Sequence, residues 1–261
     1  DTAQAFIRRN RERHDKEMTA ANEGGLIEEA HELPELDPAL STFVMGRAHY
    51  LLGEAMDQLE ERGYPFVDKR NQRGINGKSA LAYRRFFELA RGGRISLDEW
   101  RLLCDQAIPS YGPWLLRGTK KRLSEMDAKF RQTTLVSSED LLNYGAMEPF
   151  VAAVRARSPD PLARISAARR GYFRAVVERH GPQYLDEQVA AKTCQVGPIH
   201  AFKGLECDHA IVHSGMPPAA TREALFAPEP ERRVFYVALT RARSRLTHLN
   251  GQAFAQWRDV L

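Results

Sequence analysis

The segment from Gly74 to Ser79, with the sequence GINGKS, has residue types that bind phosphate. Glycines let backbone amides wrap an anion, and the lysine and serine of a G-K-S ending contact the phosphates and a bound Mg²⁺. The complete pattern, G-x-x-x-x-G-K-[ST], requires a glycine at position 72, where this chain has Gln72. The loop is shorter than the pattern by two residues, so it lacks amides that a phosphate-binding loop needs.

A second part of such a nucleotide site is also missing from the sequence. No run of four apolar residues followed by an aspartate occurs after the loop to hold Mg²⁺. We therefore interpret GINGKS as the start of a helix. The alternative is a small phosphate-binding-loop kinase built on Lys78, which requires that this chain bind ATP by itself and that Lys78→Ala abolish the binding.

Arginines are concentrated near the end of the chain, where five of them and no acidic residue lie between positions 232 and 245. A second basic run, from position 69 to 94, has eight Lys or Arg residues and the single acidic residue Glu88. A run of like charge on a helix usually faces solvent. Arginines also bind phosphate groups, so the surrounding residues and elements must distinguish the two roles.

The elements around these residues follow an α/β pattern. Apolar runs predict strands near 42–45, 64–67, 192–196, 210–212 and 246–249, and helical periodicity predicts helices near 48–61, 79–90 and 231–242. Strands that alternate with helices are typical of a parallel sheet flanked by helices.

Residues 95–190 have a different pattern, with one helix after another and no convincing strand. Prolines and glycines divide the segment, and Ser96 with Glu99 forms an S-x-x-E capping box at its start. We therefore predict an α/β domain formed by residues 1–94 and 191–261, interrupted by an all-helical insertion at 95–190. The chain starts abruptly, without a helix cap or initiator Met, so we expect it to be a fragment of a longer protein.

The composition excludes several classes of protein. With 261 residues, of which 43% are hydrophobic, the chain can bury a core and is not disordered. No segment approaches the roughly 20 apolar residues of a membrane helix, so we expect no membrane partner. Three scattered cysteines argue against a disulfide framework or zinc ribbon and favour a reducing cytoplasm. The net charge of +4 permits a polyanionic partner.

Two segments contain recognisable motifs: HAFKGLECDHAIVHSG at 200–215 and ERRVFYVALTRARSRL at 231–246. They resemble motifs V and VI of the UvrD/Rep-type superfamily 1 DNA helicases, which have H-x-x-K-G-L-E before an apolar strand and then R-R-L-x-Y-V-A-x-T-R-A. Three other segments resemble the family more weakly. NRERHDKEM at 10–18 resembles the segment after motif IV, and TFVMGRAHYLLGEAMDQLEERGYPF at 42–66 resembles a strand-Arg-helix unit. KSALAYRRFFEL at 78–89 resembles the helix before the inserted 2B domain.

The resemblance implies that the chain is the second RecA-like motor domain of such a helicase, with a reduced 2B-like insertion. The first motor domain, with the true phosphate-binding loop and the Walker B carboxylates, would lie outside the chain and bind most of the ATP and Mg²⁺. The parent protein would be an ATP-dependent DNA helicase, whereas this chain alone would be inactive. Its other expected partner is single-stranded or partly duplex DNA, and no metal site is expected within the chain.

The resemblance also implies roles for individual residues. Arg241, in the T-R-A of motif VI, would be an arginine finger that stabilises charge on the γ-phosphate. Gly204 would lie against the nucleotide phosphates, and Glu206 would accept a hydrogen bond from the ribose. The residues expected to contact DNA are His200, Lys203, which is also a candidate to support the phosphates, and Arg47. Two roles are open for the other arginines of this cluster, a further contact to phosphate or DNA, or a surface position that favours solubility. These residues are Arg232, Arg233, Arg243 and Arg245.

One departure from the family concerns the DNA side. The family usually has T-x-H where this chain has Pro198-Ile199-His200. Proline has neither a hydroxyl nor an amide hydrogen, so a contact of the family's threonine to DNA phosphate is missing or supplied differently. Outside the motif, a histidine such as His200 is more often a core residue. The aromatic residues that could stack on bases or lie in the core are Phe202, Tyr50 and Tyr64.

Several functional alternatives stay open at this point. The residues KGLE at 203–206 favour the 3′ to 5′ branch of the family, because the opposite branch has Q-G there. An exonuclease-linked relative of the RecB type shares these motifs, and a degenerate module that binds DNA or protein without hydrolysing ATP is a different class. The enzyme interpretation requires G-x-x-x-x-G-K-[ST] and a D-E pair upstream in the parent. By resemblance we expect a cytoplasmic, nucleoid-associated protein of bacterial or phage origin that acts in DNA repair or replication.

Overall fold

The structure is a computed structural model that describes residues 2–10, 24–71, 73–251 and 255–261. Its strands are β1 (Leu26–Ala30), β2 (Thr42–Gly46), β3 (Val67–Asp68), β4 (Ile95–Ser96), β5 (Leu135–Val136), β6 (Cys194–Pro198), β7 (Cys207–His213), β8 (Gly215–Met216), β9 (Ala242–Leu249) and β10 (Ala255–Gln256). Its α-helices are α1 (Thr2–Ile7), α2 (Gly53–Glu61), α3 (Lys78–Ala90), α4 (Leu97–Gln106), α5 (Thr119–Glu125), α6 (Ala128–Thr133), α7 (Glu148–Arg155), α8 (Ala167–His180), α9 (Glu187–Thr193), α10 (Pro218–Phe226), α11 (Pro228–Leu239) and α12 (Trp257–Val260). Short 3-10 helices are formed by His49–Leu52, Asp140–Tyr144, Asp160–Leu162, Pro182–Leu185 and Ile199–Phe202.

The chain divides into two compact units. The first unit contains residues 1–74 and 187–261, and the second contains residues 75–186. The boundaries expected from the sequence, after residues 94 and 190, differ mainly in the assignment of α3. This helix lies in the second unit because it packs against α4 and α7 of that unit.

The described part of the first unit forms a six-stranded sheet in the order β1-β9-β7-β2-β6-β3. All pairs of neighbouring strands in it are parallel. Nearly every residue of the central strands β2 and β7 is buried. Strands buried on both faces are typical of parallel sheets covered by helices on each side. The predicted α/β, RecA-like fold class is confirmed.

Helix α11 is fixed against one face of this sheet by its apolar side. Phe235 and Ala238 of α11 are buried in one cluster with Met45 of β2 and Val212 of β7. Leu239 extends the same side at the next helical position, since residues three and four apart share a face. Burial of a side chain as large as Phe235 contributes about 2–3 kcal/mol. The residues that follow α11 are therefore held in a defined position at the sheet edge.

The second unit is helical apart from one short sheet. Strands β4 and β5 pair antiparallel, which corrects the expected all-helical insertion. Strands of two residues are too short to produce a periodic sequence pattern, so this sheet was not predicted. The predicted capping box is confirmed, because Ser96 Oγ accepts from the Glu99 amide and Glu99 accepts from the Ser96 amide. Phe86, Trp100 and Phe150 form a buried aromatic core.

Two further expectations concern membranes and the N-terminal segment. No helix in the described part of the chain combines the length and the apolar character needed to cross a bilayer. The segment NRERHDKEM lies outside the described residues, apart from Asn10.

Three buried histidines should make the first unit less stable in mild acid. Burial lowers the pKa of His209, His213 and His248 from 6.5 to about 4 in each case. The fold therefore favours the neutral rings, and their contribution to stability is complete above the unfolded pKa. As the pH falls from 6.5 toward 4, the unfolded chain binds protons that the folded chain excludes, so this stability is lost.

We expect the free energy of unfolding to fall by about 2 kcal/mol for each buried histidine between pH 7 and pH 5. Urea unfolding at several pH values measures this change. His209→Gln should reduce the pH dependence, whereas His31→Gln, at an exposed position, should leave it unchanged. Equal stability at pH 7 and pH 5 would contradict the expectation.

Candidate functional site

Three of the expected site residues lie at the edge of the sheet where β7 and β9 begin. Gly204 and Glu206 lie just before Cys207, the first residue of β7, and Arg241 directly precedes Ala242, the first residue of β9. Because these two strands are parallel and Cys207 is paired with Ala242, the three residues come together. We call Gly204, Glu206 and Arg241 the amino-edge group.

Two other expected residues lie at the opposite edge, where the strands end. Arg47 directly follows Gly46, the last residue of β2, and His200 follows Pro198, the last residue of β6. Gly46 and Pro198 are paired in the parallel register, so Arg47 and His200 share the carboxyl edge. Lys203 lies on the short connection that crosses from this edge back to β7. The structure therefore separates most of the expected nucleotide contacts from the expected DNA contacts.

Arg241 connects the end of α11 with the loop before β7. The residue is half-buried, and its guanidinium donates hydrogen bonds to Val237 O at 2.8 Å, Leu205 O at 2.8 Å and Thr240 Oγ1 at 2.9 Å. Its own carbonyl accepts from the amide of Cys207 at 3.0 Å. A cation at this position also stabilises the unpaired carbonyls of the helix end. Arg241 thus fixes the backbone of the loop that contains Gly204.

Gly204 gives this loop a conformation that other residues rarely adopt. Its φ is +80°, in the left-handed region. Apart from its two chain neighbours, no described residue has an atom within 4 Å of the position that a Cβ would occupy, so the outer side of Gly204 is open. Residues 203–206 are all exposed. The loop therefore presents backbone to solvent at the amino edge, where a phosphate could approach it.

Glu206 is oriented by an ion pair. Its Oε2 accepts a hydrogen bond from Nε of Arg243 at 3.1 Å, and the two side chains are 56% and 57% exposed. An exposed pair of this kind contributes at most about 1 kcal/mol to stability. Its main effect is on the direction of the carboxylate, whose Oε1 has no hydrogen bond among the described residues.

Arg47 is held by Glu231, an acidic residue of α11. The guanidinium donates two hydrogen bonds, from Nε to Oε2 at 2.6 Å and from Nη2 to Oε1 at 2.8 Å. The Glu231 side chain is 6% exposed and that of Arg47 is 27% exposed. The hydrogen bond with Glu231 raises the pKa of Arg47. Sequence reasoning missed Glu231, because the two residues are 184 positions apart.

The comparison with protein families concerns the segment that contains both motifs. Residues 179–249 match the family model of the UvrD-like helicase C-terminal domain. Over this segment the chain is similar to the UvrD-like helicase C-terminal domain. This match confirms the resemblance based on motifs V and VI, and it covers the whole amino-edge group. No curated protein matches the chain.

Two of the three residues expected to contact DNA, His200 and Lys203, are exposed, so His200 is not a core histidine. Phe202 and Tyr64 are buried, and Phe202 packs against the ring of Phe43, so neither can stack on a base. Tyr50, three residues after Arg47, is 65% exposed. Tyr50 is therefore the one of the three aromatic candidates that is available to a ligand.

The other four arginines of the cluster between positions 232 and 245 have partners within the first unit. The pairs are Arg232 with the carbonyl of Leu261, Arg233 with Glu229, Arg243 with Glu206 and Arg245 with Glu28. These contacts show that the arginine cluster is not a set of free cations along one helix face.

The GINGKS segment has the local structure of a helix start. Helix α3 begins at Lys78 with Gly77 as its N-cap residue, one position before the expected start. Gly74 has a φ of +71°, and a Cβ there would lie 2.4 Å from the carbonyl oxygen of Phe66. This glycine is therefore required for close packing of the chain against itself.

No group of three or more His, Cys, Asp or Glu in the described residues could hold a metal ion.

Proposed function

We propose that this chain is the second motor domain of an ATP-dependent DNA helicase or translocase that moves 3′ to 5′. The observation that supports the proposal most directly is the hydrogen bond from Arg241 to Leu205 O, which joins the motif VI helix to the motif V loop at the amino edge. The proposal includes an N-terminal RecA-like domain of the same protein, which would bind most of the ATP and Mg²⁺.

In this proposal the amino-edge group completes the nucleotide site. Arg241 would exchange its bond to Leu205 O for an oxygen of the γ-phosphate, where negative charge grows during phosphoryl transfer. The half-buried position of Arg241 supports this role, because the guanidinium can turn while the backbone stays bonded to Cys207. Gly204 would let a phosphate approach the loop backbone, and the free oxygen of Glu206 would accept a ribose hydroxyl.

The carboxyl edge would contact DNA. Exposed His200 and Lys203 can bind phosphate or sugar, and the exposed ring of Tyr50 can stack on a base. Arg47 would contact DNA through the part of its guanidinium that is not paired with Glu231.

The second candidate function is a module that binds DNA without hydrolysing ATP. It is supported by the internal hydrogen bonds that occupy all three nitrogens of Arg241.

DNA binding by the chain tests the carboxyl-edge assignment. We expect weak binding of a labelled single-stranded oligonucleotide that declines steeply with salt, because phosphate contacts dominate the affinity. Tyr50→Ala should weaken it by about fivefold or more, since one base stacked on an aromatic ring contributes about 1–3 kcal/mol. Fluorescence anisotropy at several salt concentrations measures both effects.

The matched control is Tyr111→Ala, because Tyr111 is 92% exposed and lies in the second unit. Its affinity for the oligonucleotide should equal that of the unchanged chain. Salt-independent binding, or equal effects of the two tyrosine variants, would count against the proposed DNA edge.

A further inference from the structure

Glu206 and its two chain neighbours make three hydrogen bonds with Arg241, which precedes β9, and with Arg243 of β9. Nη1 of Arg241 donates to the carbonyl of Leu205 at 2.8 Å, and the carbonyl of Arg241 accepts from the amide of Cys207 at 3.0 Å. The backbone on both sides of Glu206 is therefore tied to Arg241. The Glu206 side chain is held separately, by Nε of Arg243 at 3.1 Å.

The contact with Arg243 leaves the carboxylate ready to accept one more donor. An ionised carboxylate has two oxygens that accept hydrogen bonds, and Arg243 occupies Oε2 of Glu206. A glutamate side chain loses conformational entropy when it is fixed. When an intramolecular partner fixes it beforehand, less of that loss opposes ligand binding. The Glu206–Arg243 pair contributes little to the stability of the fold. Its main effect is therefore on the affinity for a ligand that binds Glu206.

We propose that Arg243 is a positioning residue that gives the nucleotide site its preference for ribose hydroxyls, by holding Glu206 in the orientation that accepts them. This inference rests on the proposed function, in which Glu206 contacts the ribose. Arg243 is not a catalytic residue in this assignment, because it touches the carboxylate and not the nucleotide. Its role differs from that of Arg241, whose guanidinium would contact the γ-phosphate in the proposed function.

A direct phosphate contact by Arg243 predicts a different result. Loss of a phosphate contact weakens binding of every nucleoside triphosphate equally, because all of them have the same phosphates. Loss of a residue that orients Glu206 weakens binding only of nucleotides that have the hydroxyl which Glu206 accepts. Deoxy analogues therefore separate the two roles.

The experiment measures equilibrium binding to the full-length protein of a non-hydrolysable ATP analogue and of its 2′-deoxy and 3′-deoxy forms. We expect the unchanged protein to prefer the ribose form over at least one deoxy form. Arg243→Ala should reduce this preference by about three- to tenfold. Arg243→Lys should restore part of it, because lysine keeps the charge on a flexible stem. Steady-state ATP turnover should show a rise in KM that exceeds the fall in kcat.

Arg155→Ala is the matched control, because Arg155 and Glu139 form an ion pair of 3.2 Å in the second unit with exposures of 61% and 55%. This control should leave the preference unchanged. Glu206→Ala, which removes the acceptor, separates the two levels of the proposal. If Glu206→Ala leaves the preference intact, the ribose contact of the proposed function is wrong. If Glu206→Ala removes the preference and Arg243→Ala keeps it, or weakens all three ligands equally, the positioning role of Arg243 is wrong.

Discussion

Replacing Arg241 with alanine in the full-length protein should lower ATP turnover at least about tenfold and leave nucleotide affinity nearly unchanged. An arginine finger acts on charge that develops in the transition state, so its loss reduces kcat more than it raises the dissociation constant. The position of Arg241 directly after α11 supports this expectation, because α11 is fixed against the sheet by buried residues such as Phe235. Steady-state turnover with DNA, together with equilibrium binding of a non-hydrolysable analogue, measures the two quantities.

Controls must separate this effect from a structural one. Arg241→Ala also removes hydrogen bonds to Val237 O and Leu205 O, so urea unfolding of the variant should show a loss of about 1–2 kcal/mol. Arg155→Ala should turn over ATP at the unchanged rate. Normal turnover by Arg241→Ala would refute the finger assignment. A full-length protein that binds DNA and ATP but hydrolyses nothing would establish the non-hydrolysing alternative.

The second large effect should come from Arg47→Ala, which we expect to destabilise the first unit by about 3 kcal/mol. The variant leaves the carboxylate of Glu231, whose side chain is 6% exposed, without its partner. Removal of one member of a buried pair costs about 3–5 kcal/mol, and the partial exposure of Arg47 favours the lower end. The midpoint of urea unfolding measures the change.

The different exposures of Arg47 and Glu231 provide the control. Glu231→Gln should cost less than Arg47→Ala, because the Arg47 guanidinium is 27% exposed and can reach water. Arg155→Ala, which breaks an exposed pair, should change stability by less than about 1 kcal/mol. Equal losses for Arg47→Ala and Arg155→Ala would show that Glu231 is not dependent on Arg47.

The elements with strong periodicity were predictable from the sequence. The apolar runs of β2 and β7 appear where the pattern places them, because both strands are buried on two faces. Helix α11 begins at Pro228 and ends at Leu239, so both of its ends lie about three residues before the bounds expected from the sequence. Helix α10 was not predicted, for a physical reason. Its small residues Ala220 and Ala224 are buried, whereas its largest apolar residues, Leu225 and Phe226, are 68% and 92% exposed.

The candidate site was predictable only in part. Motifs V and VI identify Gly204, Glu206 and Arg241 because each has a distinctive neighbouring sequence. The acceptor of Arg241 is a backbone carbonyl, and a carbonyl has no signature in the sequence. The partner of Arg47 was missed because pairs far apart in the chain are defined only after folding. The unit boundaries in the structure also differ from those expected from the sequence. They depend on what α3 packs against rather than on the composition of α3.

Helix α11 connects the carboxyl edge of the sheet with the amino edge. Helix α11 has Glu231 in its first turns at the carboxyl edge and is followed by Arg241 at the amino edge. Its 12 residues correspond to a rod of about 18 Å, and no proline or glycine interrupts it after Pro230. A displacement of α11 that strains the hydrogen bonds between Glu231 and Arg47 must also shift the guanidinium of Arg241 at the other end of the helix. A load on the carboxyl edge and the position of Arg241 at the amino edge are therefore coupled.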